Sequence, residues 1–329
     1  MVRTLCVLFC LLCAVPARAD PLPSWNDGPR KDAFIQFVDR VTRAGHDYVP
    51  EGERIAVFDN DGTLWAEQPL YFQLAFALDR VKALAHQHPE WTDTQPFKAA
   101  LEGDMAALFA GGDEALLTLV AATHGNTTPE QFAAEVDAWI QSARHPTTGL
   151  LYIEMVYQPM LELMDYLRIH QFKIFIVSGG GIEFMRVFSE RAYGIPPEQV
   201  IGSSIEVRLE QRGEDPVLVR EPELRFLDDK AGKPVAIHYH IGRRPILAVG
   251  NSDGDLEMLA WTMAGEGARM AALIHHTDAE REWAYDSPSA VGQLDRARKE
   301  ADKRGWWLVD MAKDWSRVFP ENEEALFQP

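Results

Sequence analysis

The chain reads as an α/β fold: an open parallel sheet flanked by helices, with a block of further helices inserted into it. Three observations predict this. Short apolar runs at 55–58, 172–177 and 245–250, rich in β-branched and aromatic residues, have the length of buried strands. Each ends in Asp, Ser, Asn or Gly and is followed by a helical pattern, the alternation expected of parallel strands. Between the first two runs, from about 70 to 150, the pattern is helical and carries no strong strand signal.

The stretch Ile55-Ala56-Val57-Phe58-Asp59-Asn60-Asp61-Gly62-Thr63-Leu64 organises the rest. Along an extended backbone, the i, i+2 spacing sets Asp59 and Asp61 on one side, at a strand's C-terminal end. In an open α/β sheet ligands bind at that end. Two close carboxylates repel, so the pair needs a cation, a shared proton or a cationic neighbour. Asp-Gly is also an ordinary turn signal, and the remaining motifs must decide between the two readings.

In chain order, residues 20–31 are rich in Pro, Gly and charge and read as a surface lead-in. Phe34, Phe37, Val38 and Val41 mark a helix over about 31–45. Leu70 to Leu84 mark another, and Thr128-Pro129-Glu130 reads as an N-cap with Pro at the first helical position. Met160 to Leu167 are helical, and the strand 172–177 ends in Ser178-Gly179-Gly180-Gly181 before a helix over about 182–192. Such a junction presents a hydroxyl and backbone N–H groups to an anion. A strand at 200–203 and a rim hairpin, 205–209 with 217–219, follow. Asp228-Asp229-Lys230-Ala231-Gly232-Lys233 then opens a helix through Ile241. The strand 245–250 ends in a second acid cluster, Asn251-Ser252-Asp253-Gly254-Asp255, and a helix through Leu256 and Leu259. A strand at 270–274, a polar helix at about 288–303 and a strand around Trp306-Trp307-Leu308-Val309 complete the pattern. His275-His276 and His238-Tyr239-His240 have no evident metal partners and read as surface or packing residues.

These motifs, from Arg54 to about Trp261, resemble the haloacid dehalogenase-like (HAD) hydrolase superfamily, and their order is most similar to its phosphoserine phosphatase-like branch. Phe-Asp-Asn-Asp-Gly-Thr-Leu fits the family's DxDGT motif without a gap, Ser178 matches the second motif, and the 251–255 cluster resembles the fourth. Asn251 departs from the pattern, standing where the family has a metal-binding Asp. The third motif is a lone lysine. Lys233 is taken for it, with Lys230 as the alternative.

The resemblance implies a Rossmann-like core over 20–66 and 152–329 with a helical type 1 cap over 67–151. It implies an Mg²⁺-dependent phosphomonoesterase acting on a small phosphorylated metabolite through an aspartyl-phosphate. Asp59 would be the nucleophile and Asp61 the acid and base. Lys233 would offset phosphoryl charge, while Ser178 and Gly179 bind the phosphate. Asp59, the Asp61 carbonyl, Asn251 and Asp255 would form the metal set. Glu67 would face the leaving group, in contact with an amine. Asp61 argues against the dehalogenase members, which lack this carboxylate. A phosphotransferase, or a degenerate domain that only binds, remains the alternative.

The first nineteen residues read as an export signal. Arg3 forms a basic start, Leu5 to Val15 an apolar stretch, and Ala17-Arg18-Ala19 a cleavage site, so the expected mature chain begins at Asp20 and is periplasmic or secreted. All three cysteines, Cys6, Cys10 and Cys13, lie inside that segment. The mature chain then has no disulfide, no Cys nucleophile and no Cys-ligated zinc. Without Arg3 and Arg18, thirty basic side chains face fifty acidic ones. That balance disfavours nucleic acid and anionic membranes as partners. With 47% apolar residues the chain can build a sizeable core, and its oligomeric state is left open.

Overall fold

The computed structural model describes residues 19–320; residues 1–18 and 321–329, and with them the expected export signal and the acidic C-terminal stretch, lie outside the described residues. The strands are β1 (Ile55–Phe58), β2 (Lys173–Gly181), β3 (Val200–Arg212), β4 (Asp215–Phe226), β5 (Leu247–Gly250), β6 (Met270–His275) and β7 (Trp307–Asp310). They form one seven-stranded sheet in the order β4-β3-β2-β1-β5-β6-β7. All neighbours are parallel except β3 and β4, which pair antiparallel at one edge. The doubly flanked α/β architecture expected from the sequence is therefore present, with one antiparallel edge strand.

The motif strand β1 lies mid-sheet, all four of its residues buried, with β2 and β5 on either side. Its alternation splits the core into two layers. Ala56 and Phe58 join the larger layer under α1 (Pro29–Thr42), while Ile55 and Val57 join a layer with Ala236, Ile237 and Leu259. Because β2 and β5 are parallel to β1 and flank it, their C-terminal ends emerge beside Asp59. A strand crossover of this kind is where an open sheet leaves room for a ligand.

Between β1 and β2 the described chain holds no strand and a run of helices: α2 (Phe72–Leu84), α3 (Phe97–Glu102), α4 (Met105–Ala110), α5 (Gly112–His124), α6 (Pro129–Ile140) and α7 (Gln158–Ile169). Thr128 caps α6 through a capping box, with Pro129 next to it as read from the sequence. Leu74, Val81, Trp91, Phe97, Leu108 and Leu119 make an apolar cluster of their own. Phe72, Phe76 and Phe132 belong instead to the core that holds the sheet, so the inserted helices are anchored along one side.

Several expectations change. Residues 20–31 are no mere lead-in: Leu22 and Trp25 are buried, and the Trp25 indole donates to the Pro159 carbonyl at 2.9 Å. The chain uses this segment to close the core at the sheet's β7 side, where Trp25 meets Trp315 edge to face. The helix expected over 182–192 is two short ones, α8 (Ile182–Arg186) and α9 (Ser189–Tyr193), parted where Phe188 turns inward to stack on Trp65. The strand at 200–203 and the rim hairpin are one long ribbon, since β3 runs without a break from the sheet into the hairpin. Its outer strand is covered by the link before α6, through hydrogen bonds from Asn126 N–H to the Arg220 carbonyl and from Arg220 N–H to the Thr127 carbonyl. The remaining helices are α10 (Gly232–Ile241), α11 (Leu256–Met263), α12 (Arg296–Arg304) and α13 (Met311–Asp314), so the polar helix begins later than Pro288. Among the described residues no helix is long and apolar enough to cross a membrane.

Trp25→Ala should cost about 3–5 kcal/mol of stability, the scale for an aromatic removed from a packed core. Equilibrium denaturation checks this; a loss under about 1 kcal/mol would return the segment to the status of a surface lead-in.

Candidate active site

The site begins with the turn that follows β1. The Asn60 carbonyl accepts from the Thr63 and Leu64 N–H groups, and Gly62 adopts φ +71°. A side chain at Gly62 would collide with Asn251, whose amide nitrogen would be 2.0 Å from the added Cβ. Glycine is thus required twice, for the left-handed backbone and for the close approach of the β5 turn. The turn points Asp59 into the protein, and Asp61 receives the Trp65 indole N–H at 2.8 Å.

The β2 turn brings the hydroxyl. Ser178 is buried and its Oγ accepts from Gly180 N–H at 3.2 Å. Gly180 has no Cβ, and the position one would take lies 3.5 Å from each of Asp61 Oδ2, Gln73 Oε1 and Ser178 Oγ. Three polar groups from three segments therefore converge over one glycine, while Gly179 faces the Asp228–Asp229 turn. Gln73 comes from α2, in the inserted helices, and ties them to this turn by accepting from Gly181 N–H at 2.6 Å. Its amide nitrogen meets His124 at 3.2 Å; burial and the nearby Arg220 push that imidazole down to about 3, so it is neutral.

Lys233 settles which lysine enters the site. It lies in the first turn of α10, only 2% exposed, and its Nζ donates to Asp59 Oδ1 at 2.7 Å and to Asp255 Oδ1 at 2.6 Å. Lys230 sits in the preceding turn at φ 50°, its side chain 58% exposed and 3.5 Å from Asp229. Asp255 in turn is held by its other oxygen, which accepts from Asn251 N–H and Ser252 N–H at 3.0 Å each. Asp255 thus bonds both the lysine and the β5 turn.

Asn251 is 1% exposed, and its two side-chain ends are spoken for differently. The amide oxygen accepts from Thr63 Oγ1 at 3.2 Å; the amide nitrogen donates to Glu67 Oε1 at 2.7 Å. Glu67, expected to face a leaving group, is instead buried against Asn251 and receives the Tyr285 hydroxyl at 2.8 Å. The segment after β6 supplies more support that the sequence did not signal. His276, read as a surface or packing residue, is buried and donates from Nε2 to the Gly62 carbonyl at 2.8 Å. Its Nδ1 lies 3.1 Å from Glu282, which also accepts from the Tyr157 hydroxyl at 2.9 Å. These partners are hundreds of positions from the motif in places, and only a histidine next to β6 hinted at them. His238 and His240 lie on α10, and His240 keeps to its surface.

Negative charge is in excess here. Burial pushes the Asp59 carboxyl up; Lys233 pulls it down, and Asp255 and Asp61 push it up again. Asp61 is pushed up to about 6 by burial, against the Trp65 hydrogen bond and Lys233. Burial raises Glu67 above its ordinary value, the Tyr285 hydrogen bond lowers it, and Asp61 and Asp59 raise it again. One buried ammonium thus pairs with Asp59 and Asp255 while Asp61 and Glu67 act on Asp59's surroundings from beside them, a crowding of acids that a divalent cation would relieve. The donors are all oxygens, as Mg²⁺ prefers. Among the described residues, no group of three or more His, Cys, Asp or Glu side chains is gathered as a ready-made cage. Any cation here would therefore draw on carbonyl or amide oxygens too.

Asp228, beside Ser178 and Lys233, is fully buried, with no side-chain partner bonding either carboxylate oxygen and with the Ser178 backbone near enough to lower it. Burial pushes it up to about 7 against the pull of Lys233. A carboxyl whose folded-state value is raised weakens the fold once it ionises, and the cost fades as pH falls from about 7 to about 4. Asp228→Asn should therefore raise the unfolding free energy at pH 8 by up to about a few kcal/mol, seen as a higher melting temperature, and leave both unchanged near pH 4. A loss of stability at pH 8 would mean that the carboxylate is productively paired.

Residues 56–260 match the family model described as haloacid dehalogenase-like hydrolase. None of the curated proteins matches the chain significantly. A conserved protein of unknown function from Anaerococcus prevotii shares the fold, with TM-score 0.53 and 16% identity over 85% of this chain and 91% of that one. A protein of unknown function from Bordetella pertussis is similar at TM-score 0.47 and 16% identity, over 79% and 99% of the two chains. A phosphoserine phosphohydrolase-like protein from Francisella tularensis is similar at TM-score 0.38 and 15% identity, over 76% and 99%. The family match runs from the strand before Asp59 to the helix behind Asp255 and spans well over half of the sequence; the chain belongs to the haloacid dehalogenase-like hydrolases.

Proposed function

We propose that this protein is an exported, Mg²⁺-dependent phosphomonoesterase that hydrolyses a small phosphorylated metabolite through an aspartyl-phosphate on Asp59. The observation that carries the reading is the bond from Lys233 Nζ to Asp59 Oδ1, made while Asp61 and Ser178 converge over Gly180 from neighbouring strand ends. Lys233 engages one oxygen of Asp59 and leaves Oδ2 to attack phosphorus, opening the bond to the leaving oxygen. Asp61, held by Trp65 and raised to about 6, can carry the proton that the leaving oxygen takes. In the second step Asp61 accepts a proton from water, the water oxygen bonds to phosphorus, and the Asp59–phosphorus bond breaks to release inorganic phosphate. The Ser178 hydroxyl and the Gly179 turn bind phosphoryl oxygens, and the Lys233 ammonium offsets their charge. Mg²⁺, held by Asp59, the Asp61 carbonyl and the Asn251 amide oxygen, would add positive charge at the phosphoryl group.

Asp59 is only 6% exposed, and Gln73 ties the inserted helices to the turn after β2. On this reading residues 67–151 act as a cap that admits the substrate and then excludes water in excess. Export from the cytoplasm, with cleavage before Asp20, favours hydrolysis over transfer, because scavenging phosphate needs no acceptor.

Mature protein should hydrolyse para-nitrophenyl phosphate in Mg²⁺, lose turnover in chelator, and lose it on the order of a thousandfold or more in Asp59→Asn. A folded protein with no turnover in any divalent metal, and equal behaviour of the variant, would favour a domain that binds and does not react.

A further inference from the structure

Asn251 stands where the fourth motif has a carboxylate, and the acids near it in sequence are engaged elsewhere. Asp253 Oδ1 accepts from the Asp295 and Ala297 N–H groups at 3.0 and 2.8 Å, capping the start of α12. Asp255 is bound by Lys233 and by the backbone of its own turn. The carboxylate that reaches the Asn251 side chain is Glu67, 184 positions away in sequence and 2.7 Å away in space.

The fold makes room for that carboxylate deliberately. A Cβ on Gly62 would come within 2.4 Å of Glu67 Oε1, and one on Gly292 within 1.9 Å. Both glycines have positive φ, +71° and +64°. Two left-handed turns, one from the β1 motif and one from the segment before α12, thus form a slot that any side chain at either would fill. Within the slot, Asn251 Nδ2 and the Tyr285 hydroxyl both donate to the same oxygen, Oε1.

We propose that Glu67 and Asn251 act as one unit in place of the single metal-binding Asp: Asn251 supplies the neutral oxygen, and Glu67 supplies the missing negative charge and fixes the amide. The geometry supports both halves of this role. Two donors, Asn251 Nδ2 and the Tyr285 hydroxyl, hold Glu67 Oε1 as an acceptor, and with Nδ2 so engaged Oδ1 is the end turned toward Thr63 and the β1 turn. Cation affinity rises with the number of negative charges gathered around the site, so the total charge is kept although its position has moved by one side chain. Glu67 is on this account a positioning residue, and the inference rests on the Mg²⁺-dependent reading above.

Full-length mature protein, titrated calorimetrically with Mg²⁺ alone and without substrate, provides the test, beside unfolding curves of the metal-free forms. Glu67→Gln keeps an oxygen for both donors and removes only the charge. It should weaken Mg²⁺ binding about tenfold or more while the metal-free protein melts no lower than the parent. Asn251→Asp alone sets two carboxylates in the slot and should lower the melting temperature of the metal-free form. Combining Glu67→Gln with Asn251→Asp exchanges acid and amide at constant charge, and should return Mg²⁺ affinity to within a few-fold of the parent. Tyr285→Phe removes a donor but no charge and should leave affinity within a few-fold. Parental affinity in Glu67→Gln, no recovery in the double variant, or an equal loss in Tyr285→Phe would each overturn the proposal. If the parent itself binds no Mg²⁺, the metal-dependent reading fails first, and this inference with it.

Discussion

The bond of Lys233 to Asp59 and Asp255 is the constraint on which the site depends. It joins the turn after β1, the start of α10 and the turn after β5, three segments that meet only because β1 runs mid-sheet between β2 and β5. A buried ion pair of this kind gives little net stability, since desolvation offsets most of the attraction. Its consequence is geometric. With both carboxylates fixed on one ammonium, Asp59 has one oxygen held and one free, and the β5 turn is locked by the second oxygen of Asp255. On the proposed reading, the acidic charge that one lysine leaves unbalanced is what a cation would offset.

Around that pair, the chain backs the motif turns with a buried hydrogen-bond network. His276 reaches the carbonyl of Gly62, and Glu282 and Tyr157 hold His276. Tyr285 stacks on His276 with ring centroids 4.3 Å apart and bonds Glu67, so two buried networks share one wall. On the proposed reading, preorganisation of this sort would let fixed charges stabilise a developing one without rearranging. The other side of the site is closed by Gln73, His124 and the Arg220 guanidinium, which donates to the His124 carbonyl and lies 3.6 Å over the Phe132 ring.

Much of this was legible in the sequence because strand ends are local signals. β1, β2 and β5 each combine an apolar run with the residues of the turn that follows, so Asp59, Asp61, Ser178 and Asn251 could be picked out by number. Lys233 was separable from Lys230 only in part: the sequence offered Gly-Lys before an apolar helix, while the inward direction follows from the helical turn and the left-handed backbone at Lys230. The burial of 20–31 was not legible, because Pro, Gly and charge outnumber Leu22 and Trp25 there. The partnership of Glu67 with Asn251 and of His276 with Gly62 spans 184 and 214 positions, and no periodicity reports a contact of that range. The split of the helix after Ile182 was not legible either: Phe188 sits at the break and stacks on Trp65, a partner far away in the sequence, with ring centroids 4.6 Å apart.

The most direct test is to look for the phosphoryl group on Asp59. Mature protein mixed with a phosphomonoester it turns over, quenched in acid within a turnover and digested for peptide mass spectrometry, should carry a phosphoryl adduct on the peptide containing Asp59. That adduct should be cleaved by hydroxylamine, as an acyl phosphate is, and be missing in Asp59→Asn. Phosphate release with no adduct at any quench time, with the oxygen of labelled water appearing in phosphate at undiminished rate in Asp59→Asn, would contradict nucleophilic attack by Asp59.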